Sequence, residues 1–232
     1  MTLCAESALL FDLDGVLVDS RVAITNCINH ALAEHGLPRR SPESLRRFIG
    51  PPLATAFVEM TGDTPDSALV ASCVAAYRSC YAAASLRHTT VTPGIAEVLP
   101  RLARHYKLAV ATSKPLAFAD PLLQALGLRH FFSAVAGPDL RAQTEDKAQT
   151  ISNSLAALGN PERAAMVGDR FFDIRGARAR SVLAIGVTWG IGGREELEAA
   201  GADAIIDKPS ELLVAASALL TGITAPVRDP SG

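Results

Sequence analysis

The chain has 232 residues, of which 49% are hydrophobic and 20% charged, and its net charge is −2. A chain of this length and composition forms one compact domain, or one domain that carries a smaller insertion. Its 22 basic and 24 acidic residues are interspersed, which argues against a surface for nucleic acid or for an anionic membrane. We expect no transmembrane helix and no signal peptide, and therefore a cytoplasmic protein.

The four cysteines show no pattern that indicates a disulfide framework or a zinc site. Cys4, Cys27, Cys73 and Cys80 form no CxxC pair and accompany no histidine cluster. We expect reduced thiols that are mostly packed in the interior.

The first predicted element is a short apolar strand that ends in acidic residues. The run Ala8-Leu9-Leu10 leads into FDLDGVLVDS (Phe11–Ser20), which places Asp12 and Asp14 two residues apart. In extended chain this spacing puts both side chains on the same side. We interpret Asp19 as a hinge or helix-start residue.

The following segment, from about residue 18 to residue 88, contains no strand-like run. It predicts three successive helices over Ser20–His35, Pro42–Met60 and Pro65–Ala84, with breaks at HGLPRRSP and TGDTP. The chain rejoins the sheet at TPGIAEVLPRLARH, where Pro93 begins another helix. This segment is therefore an all-helical insertion.

Five further strands are predicted between Leu102 and Asp207, and each is apolar on both faces. They are Lys107–Ser113, Phe132–Gly137, Ala164–Asp169, Val182–Thr188 and Asp203–Asp207. Strands of this kind, separated by helix-length segments, are typical of a parallel sheet covered by helices. We predict an α/β fold with a doubly wound (Rossmann-like) parallel sheet as its core. The core comprises 1–17 and 89–224, the helical cap comprises 18–88, and 225–232 forms a frayed tail.

Polar side chains follow several of these strands. Thr112 and Ser113 end one strand, Asp169 ends another with Asp173 one helical turn later, and Lys147 begins the helix between them. Ligands of a parallel sheet collect at the carboxyl ends of its strands, so these residues should meet Asp12 and Asp14 there.

Several carboxylates at one site repel each other unless a cation neutralises them. Mg²⁺ suits such a site, since it binds one or two carboxylates together with water and phosphate oxygens, and Asp12, Asp14 and Asp169 are its candidate ligands. A carboxylate beside this ion can attack phosphorus, while a second one exchanges a proton with the leaving group.

Each signal has an ordinary structural explanation when it is taken alone. A DxD pair is common in loops and caps, Thr112-Ser113 and Asp169 can cap helices, and Lys147 can be a solvated surface residue. The chain has four lysines, at 107, 114, 147 and 208, which limits the choice. The prediction depends on the order of the motifs and on the sheet edge that they share.

The motifs resemble those of a known family. DLDGVLVDS, ATSKP, Lys147 in EDKAQTI, and VGDRFFDIRGA resemble the four ordered motifs of the haloacid dehalogenase superfamily. The helical insertion resembles the C1 cap of the phosphoglycolate phosphatase-like branch. FIGPPLATAF and WGIGGREELEAAGAD resemble segments of bacterial phosphoglycolate phosphatases or 5′-nucleotidases.

This resemblance implies that Asp12 is the nucleophile and that Asp14 acts first as general acid and then as general base. It also implies that Mg²⁺ is held by Asp12, by Asp169 and by the backbone carbonyl of Asp14.

The same resemblance assigns the phosphate site. Thr112 binds the phosphoryl oxygens together with the Ser113 amide and Gly15. Lys147 binds phosphate and neutralises the nucleophile, and Asp173 acts through water or through Lys147.

The predicted activity is hydrolysis of a small phosphorylated metabolite, such as phosphoglycolate or a nucleoside monophosphate, through an aspartyl phosphate. Asp14 favours phosphate esters over halides, because a halide leaves without a proton. No nucleic acid polymer and no membrane is expected as partner, and both a monomer and a homodimer remain open.

Two other functions remain open: a phosphomutase of the β-phosphoglucomutase type, and a regulatory protein with weak catalysis. A cysteine phosphatase is disfavoured, because Cys80 and Arg87 are one residue too far apart for CX5R. The chain also lacks the GxSxG and GxxxxGK[ST] motifs.

The predicted cap offers arginine rather than lysine for a second anion of the substrate, because residues 18–90 contain no lysine. Arg46 and Arg47 precede the rigid Gly50-Pro51-Pro52 corner, and we select Arg47 as a substrate-binding candidate. The GIGG run at Gly190–Gly193 lacks GxGxxG spacing, which predicts a turn at the rim of the site.

Overall fold

The computed structural model describes residues 7–140 and 146–221. Its strands are β1 Ser7–Phe11, β2 Val18–Asp19, β3 Thr90–Val91, β4 Lys107–Ala111, β5 Ala134–Ala136, β6 Arg163–Gly168, β7 Leu183–Val187 and β8 Ala204–Ile206. Its α-helices are α1 Arg21–Glu34, α2 Pro42–Leu45, α3 Leu53–Thr61, α4 Ala68–His88, α5 Ile95–Leu102, α6 Leu116–Ala125, α7 Lys147–Ala157, α8 Phe171–Arg178, α9 Arg194–Ala200 and α10 Leu212–Thr221.

Six strands form one parallel sheet in the order β5-β4-β1-β6-β7-β8. The first strand lies at its centre, where Phe11 is opposite Val110 of β4 and Val167 of β6. The carboxyl ends of these three strands therefore lie at one sheet edge. This arrangement confirms the predicted α/β fold and brings the residues that follow the three strands together.

Helices cover both faces of the sheet, because successive residues of β1 point to opposite sides. Leu9 and Phe11 belong to the apolar cluster that includes residues of α5 and α10. Ala8 and Leu10 belong to the cluster that includes residues of α7 and α8. The complete burial of β1 on both faces explains its uninterrupted apolar sequence.

The cap helices α1 to α4 surround an apolar cluster of their own, which includes Ile28, Phe57 and Tyr81. The short strands β2 and β3 pair antiparallel where the chain leaves the sheet and returns to it. We retain 1–17 and 89–224 as the core and 18–88 as the cap as a proposed division, and the predicted tail lies outside the described residues.

The continuous helix predicted over Pro42–Met60 is wrong. The structure has α2, a 3₁₀ turn over Arg46–Phe48, and then α3. Gly50 has a φ of 106°, and the two prolines after it cannot donate the hydrogen bonds that a helix interior needs. The chain therefore turns a corner here and begins a new helix.

The expectation of four reduced thiols is also wrong, because Cys27 of α1 and Cys80 of α4 form a disulfide. Their Cα atoms are 5.6 Å apart, although 53 residues separate them along the chain. Packing of α1 against α4 produces this proximity, which cysteine spacing alone does not reveal. Cys73 is a free, buried thiol as expected, and Cys4 lies outside the described residues.

Helix α4 bears on the expectation that the chain has no transmembrane helix. Its 21 residues are long and apolar enough to cross a membrane by length and composition alone. In the structure α4 packs against α1 and α3, and Val70, Cys73 and Tyr81 are among its buried residues. The apolar face of α4 is used for packing within the cap.

Candidate active site

Asp12 follows the central strand directly and lies beside a buried lysine. Its backbone N–H donates to Val167 O at 2.9 Å, which extends the β1–β6 pairing by one residue. Lys147 Nζ donates to Asp12 Oδ1 at 2.7 Å, and both side chains are buried. Lys147 also contacts Ala111 O at 3.0 Å and Asp173 Oδ1 at 2.8 Å. The ammonium therefore joins β1, β4 and α8.

Lys147 occupies this position because it is the first residue of α7. Asp146 caps that helix, and its side chain accepts a hydrogen bond from Gln149 N at 2.7 Å. This N-terminal capping bond fixes where α7 begins, and the lysine side chain then extends into the protein toward Asp12. The predicted role of Lys147 as partner of the nucleophile is compatible with this geometry.

Asp169 and Asp173 occupy the adjacent strand end. Asp169 follows β6 and is fully buried, and its Oδ2 accepts a hydrogen bond from Ile191 N at 2.7 Å. Asp173 lies in the first turn of α8, where its Oδ2 accepts from Arg170 N at 3.1 Å. Asp173 thus contacts both the start of its own helix and Lys147.

Three of these carboxylates form a cluster suited to a cation. One oxygen each from Asp12, Asp169 and Asp173 lies within 4.8 Å of the others. Burial, opposed by Lys147, raises the pKa of Asp12 to about 6. Burial and the neighbouring Asp173 and Asp12 raise the pKa of Asp169 well above its usual range. Both shifts arise first from burial, which disfavours a charged carboxylate, and a bound cation would oppose them.

The donor set fits Mg²⁺ or a similar hard cation. Asp169 Oδ1 is buried and has no hydrogen-bond partner among the described residues, so it is available as a ligand. Asp12 and Asp169 are brought together as predicted. The carboxylate of Asp14 contacts Lys114 instead, and Asp173 is the third carboxylate of the cluster. The metal contact predicted for the backbone carbonyl of Asp14 stays a prediction.

Asp14 contacts a residue that the sequence did not single out. Its Oδ1 accepts a hydrogen bond from Ser20 Oγ at 2.5 Å, and its Oδ2 lies 2.9 Å from Lys114 Nζ. Lys114 is buried and also contacts the hydroxyl of Tyr81 from the cap. Lys114 lies two residues after Thr112, at the same strand end. This position is the sequence signal that could have identified it as a residue of the site.

The predicted phosphate-binding residues surround the same sheet edge. Thr112 N donates to Ala136 O at 3.0 Å, and Thr112 Oγ1 accepts from Lys114 N at 3.1 Å. Ser113 is partly buried beside it. Gly15 has a φ of 89°, and a side chain there would collide with the carboxylate of Asp169. Glycine is therefore required for the loop to approach Asp169 so closely.

The two candidate arginines of the cap point in different directions. Arg47 is exposed and pairs with Glu59 on the surface, so the structure does not bring it to the site. Arg46 donates to Gly190 O at 3.2 Å across the boundary between cap and core. Both arginines lie in the 3₁₀ turn, which directs their side chains to different partners. Their positions in the sequence did not reveal this difference in direction.

Gly190 offers a test of the Asp169 site. A Cβ at this position would lie 2.6 Å from Asp169 Cγ, whereas a Cβ at Gly193 would meet nothing within 4 Å. We expect Gly190→Ala to displace Asp169 and to weaken Mg²⁺ binding by about 10- to 100-fold, the usual effect of disturbing the support of a ligand. Calorimetric titration with Mg²⁺ measures this change. Gly193→Ala is the matched control, and equal affinity in both variants would contradict the assignment of Asp169.

The four motifs meet at one sheet edge, as expected for a hydrolase of the haloacid dehalogenase type. The family model described as haloacid dehalogenase-like hydrolase matches residues 9–187, and the chain belongs to this family. The membership predicted from the four motifs is confirmed.

Individual relatives cover nearly the whole chain. A 5′-nucleotidase of Pseudomonas aeruginosa is 37% identical over 193 residues, which are 82% of this chain and 86% of that protein. A phosphoglycolate phosphatase of Chromobacterium violaceum is 34% identical over 219 residues, or 91% and 97% of the two chains. The solved structure of a haloacid dehalogenase-like family hydrolase from Streptococcus pneumoniae has a TM-score of 0.82 at 33% identity. The match covers 91% of this chain and 98% of that chain.

Proposed function

We propose that the protein is a Mg²⁺-dependent phosphatase that hydrolyses a small phosphate monoester through an aspartyl phosphate at Asp12. The observation that carries this proposal is the position of Asp12, which lies buried at the centre of the sheet edge between Lys147 and the Asp169–Asp173 pair. The names of the phosphatase relatives support it.

In this proposal Asp12 attacks phosphorus and forms a phosphoaspartate, and the alcohol of the substrate leaves. Lys147 holds one oxygen of Asp12, so the other oxygen is directed to the substrate. Burial excludes bulk water from this step and strengthens the electrostatic interactions at the site.

Asp14 transfers a proton in each of the two steps. It donates a proton to the departing alkoxide and then removes one from the water that attacks the phosphoaspartate. The reaction ends with the alcohol, inorganic phosphate and free Asp12.

Asp12 and Asp169 would hold Mg²⁺, with the backbone carbonyl of Asp14 as a further predicted ligand. The ion supplies neutralisation of charge on the phosphoryl group. Thr112, Ser113 and Gly15 remain the proposed contacts to the phosphoryl oxygens, and Asp173 positions Lys147.

The proposal predicts phosphate release that requires a divalent cation. A panel of phosphorylated metabolites, including phosphoglycolate and nucleoside 5′-monophosphates, is incubated with the protein and Mg²⁺, and released phosphate is measured. We expect release that stops with EDTA and returns with excess Mg²⁺. Isomerisation of a sugar phosphate without phosphate release would instead identify a phosphomutase, and inactivity on every ester would favour a regulatory protein.

A further inference from the structure

The Cys27–Cys80 disulfide is a covalent link between the first and last helices of the cap. Cys27 lies in α1 and is fully buried, whereas Cys80 lies in α4 and is partly exposed. The two cysteines are 53 positions apart, and α2 and α3 lie between them along the chain. The proposed mechanism gives this bond no role.

Each of the two joined helices brings a group to one side of the Asp14 carboxylate. Ser20, the residue before α1, donates its hydroxyl to Asp14 Oδ1 at 2.5 Å. Tyr81 of α4 follows Cys80 directly, and its hydroxyl contacts Lys114 Nζ. Lys114 Nζ in turn lies 2.9 Å from Asp14 Oδ2. Both oxygens of the proposed proton donor therefore depend on helices that the disulfide joins.

The contacts on the α4 side are buried and tightly packed. Only 5% of the Lys114 side chain and 14% of the Asp14 side chain is exposed. The Tyr81 ring stacks on Tyr77 and makes an edge contact with Phe118 of α6, so it joins α4 to the core. Since little solvent is present to replace a lost partner, a shift of α4 relative to α1 is passed on to the Asp14 carboxylate.

We propose that the Cys27–Cys80 disulfide is a redox-sensitive link that positions the proton donor Asp14, and that a dithiol reductant slows the enzyme by opening it. The inference rests on the proposed function, since it uses Asp14 as acid and base. Both cysteines belong to the apolar interior of the cap, whose packing should survive reduction. The cap then remains folded, but the two supports of Asp14 are no longer joined covalently.

Reduction transfers two electrons and two protons from the dithiol to the two cysteines. A thiolate of the reductant attacks Cys80, the more exposed of the pair, and Cys27 leaves as a thiolate that takes up a proton. The second thiol of the reductant then closes a ring with the first and releases Cys80. Cys73 takes no part, because it is buried and burial raises the pKa of its thiol.

The test measures phosphate release from phosphoglycolate or adenosine 5′-monophosphate, whichever the protein hydrolyses faster, with and without dithiothreitol. We expect reduction to lower kcat by about tenfold, because Asp14 is displaced rather than removed and a shift of about 1 Å can cost about 10²-fold. Glutathione disulfide should restore the rate. Cys27→Ala/Cys80→Ala should show the reduced rate in both conditions. The control Cys73→Ala keeps the disulfide and should respond as wild type does.

A second measurement separates lost proton transfer from a general loosening of the site. Nitrophenolate leaves without a proton, so reduction should change the first turnover of p-nitrophenyl phosphate by less than about twofold and slow only the later turnovers. Rapid mixing measures both phases. Equal slowing of the two phases would overturn the inference, because the disulfide would then not act through Asp14.

Amide hydrogen exchange in wild type reports the link without turnover and requires no variant to fold. Reduction should speed exchange by about fivefold or more in the first turn of α1 and around Tyr81, and leave β6 and α8 unchanged. Labelling with N-ethylmaleimide shows that the bond has opened. Unchanged exchange in the opened protein overturns the inference. Absence of a Cys27–Cys80 crosslink from peptides of protein prepared without reductant also overturns it.

The two proposals fail in different ways. If oxidised wild type releases phosphate from no ester tried in the presence of Mg²⁺, the proposed function is wrong. If oxidised and reduced wild type release phosphate at the same rate, the proposed function stands and the role of the disulfide is wrong.

Discussion

Asp12→Asn abolishes turnover: we expect kcat to fall by at least about 10⁴-fold on every phosphate ester, as removal of a nucleophile does elsewhere. An amide cannot form the acyl phosphate, and it also removes the charge that pairs with Lys147. Phosphate release measured under saturating Mg²⁺ gives the value. Because asparagine keeps the shape of the side chain and an oxygen acceptor for Lys147, the variant should remain folded.

The control for Asp12→Asn is Asp63→Asn, which makes the same chemical change at an exposed position of the cap. It should keep the wild-type rate. Mass spectrometry offers a second readout, because wild type quenched during turnover should carry one phosphoryl group on the peptide that contains Asp12. Normal turnover by Asp12→Asn would exclude the aspartyl phosphate mechanism.

Asp14→Asn should separate the two half-reactions. With an alkyl phosphate we expect a loss of about 10²- to 10⁴-fold, because the alkoxide no longer receives a proton. With p-nitrophenyl phosphate the leaving group needs no proton, so the first step proceeds and the second lacks its base. Rapid mixing should then show a burst of one nitrophenolate per active site, followed by slow turnover.

The neighbouring carboxylate Asp19 provides the matched control for this variant. Asp19 binds Arg21 through both of its oxygens and has no contact with Asp14 in the hydrogen bonds and ion pairs of the described residues. Asp19→Asn should show no burst. An equal loss on both classes of ester in Asp14→Asn, without a burst, would mean that Asp14 acts through structure rather than as an acid.

The sheet and its catalytic edge could be predicted because local patterns determine them. A strand buried on both faces must be apolar throughout, and parallel strands place their carboxyl ends together, so Asp12, Thr112 and Asp169 could be assigned to one edge from order alone. The side chains at such ends need no long-range information to be placed near each other.

The features that were missed depend on contacts between distant segments. Lys114 pairs with Asp14, which lies far earlier in the chain, and its other contact, Tyr81, belongs to the cap. The disulfide likewise depends on how α1 packs against α4. Arg46 and Arg47 diverge because of a 3₁₀ turn that their periodicity did not indicate. Pairing of this kind is determined by tertiary packing.

Ser20 occupies the N-cap position of α1, yet its hydroxyl makes no capping hydrogen bond and binds Asp14 instead. A serine cap contributes about 1 kcal/mol to a helix, so α1 begins without a stabilisation that its sequence could supply. The residue that precedes the first cap helix is thereby tied to Asp14, the proposed proton donor. The orientation of Asp14 therefore depends on a hydroxyl at the point where the chain leaves the core for the cap.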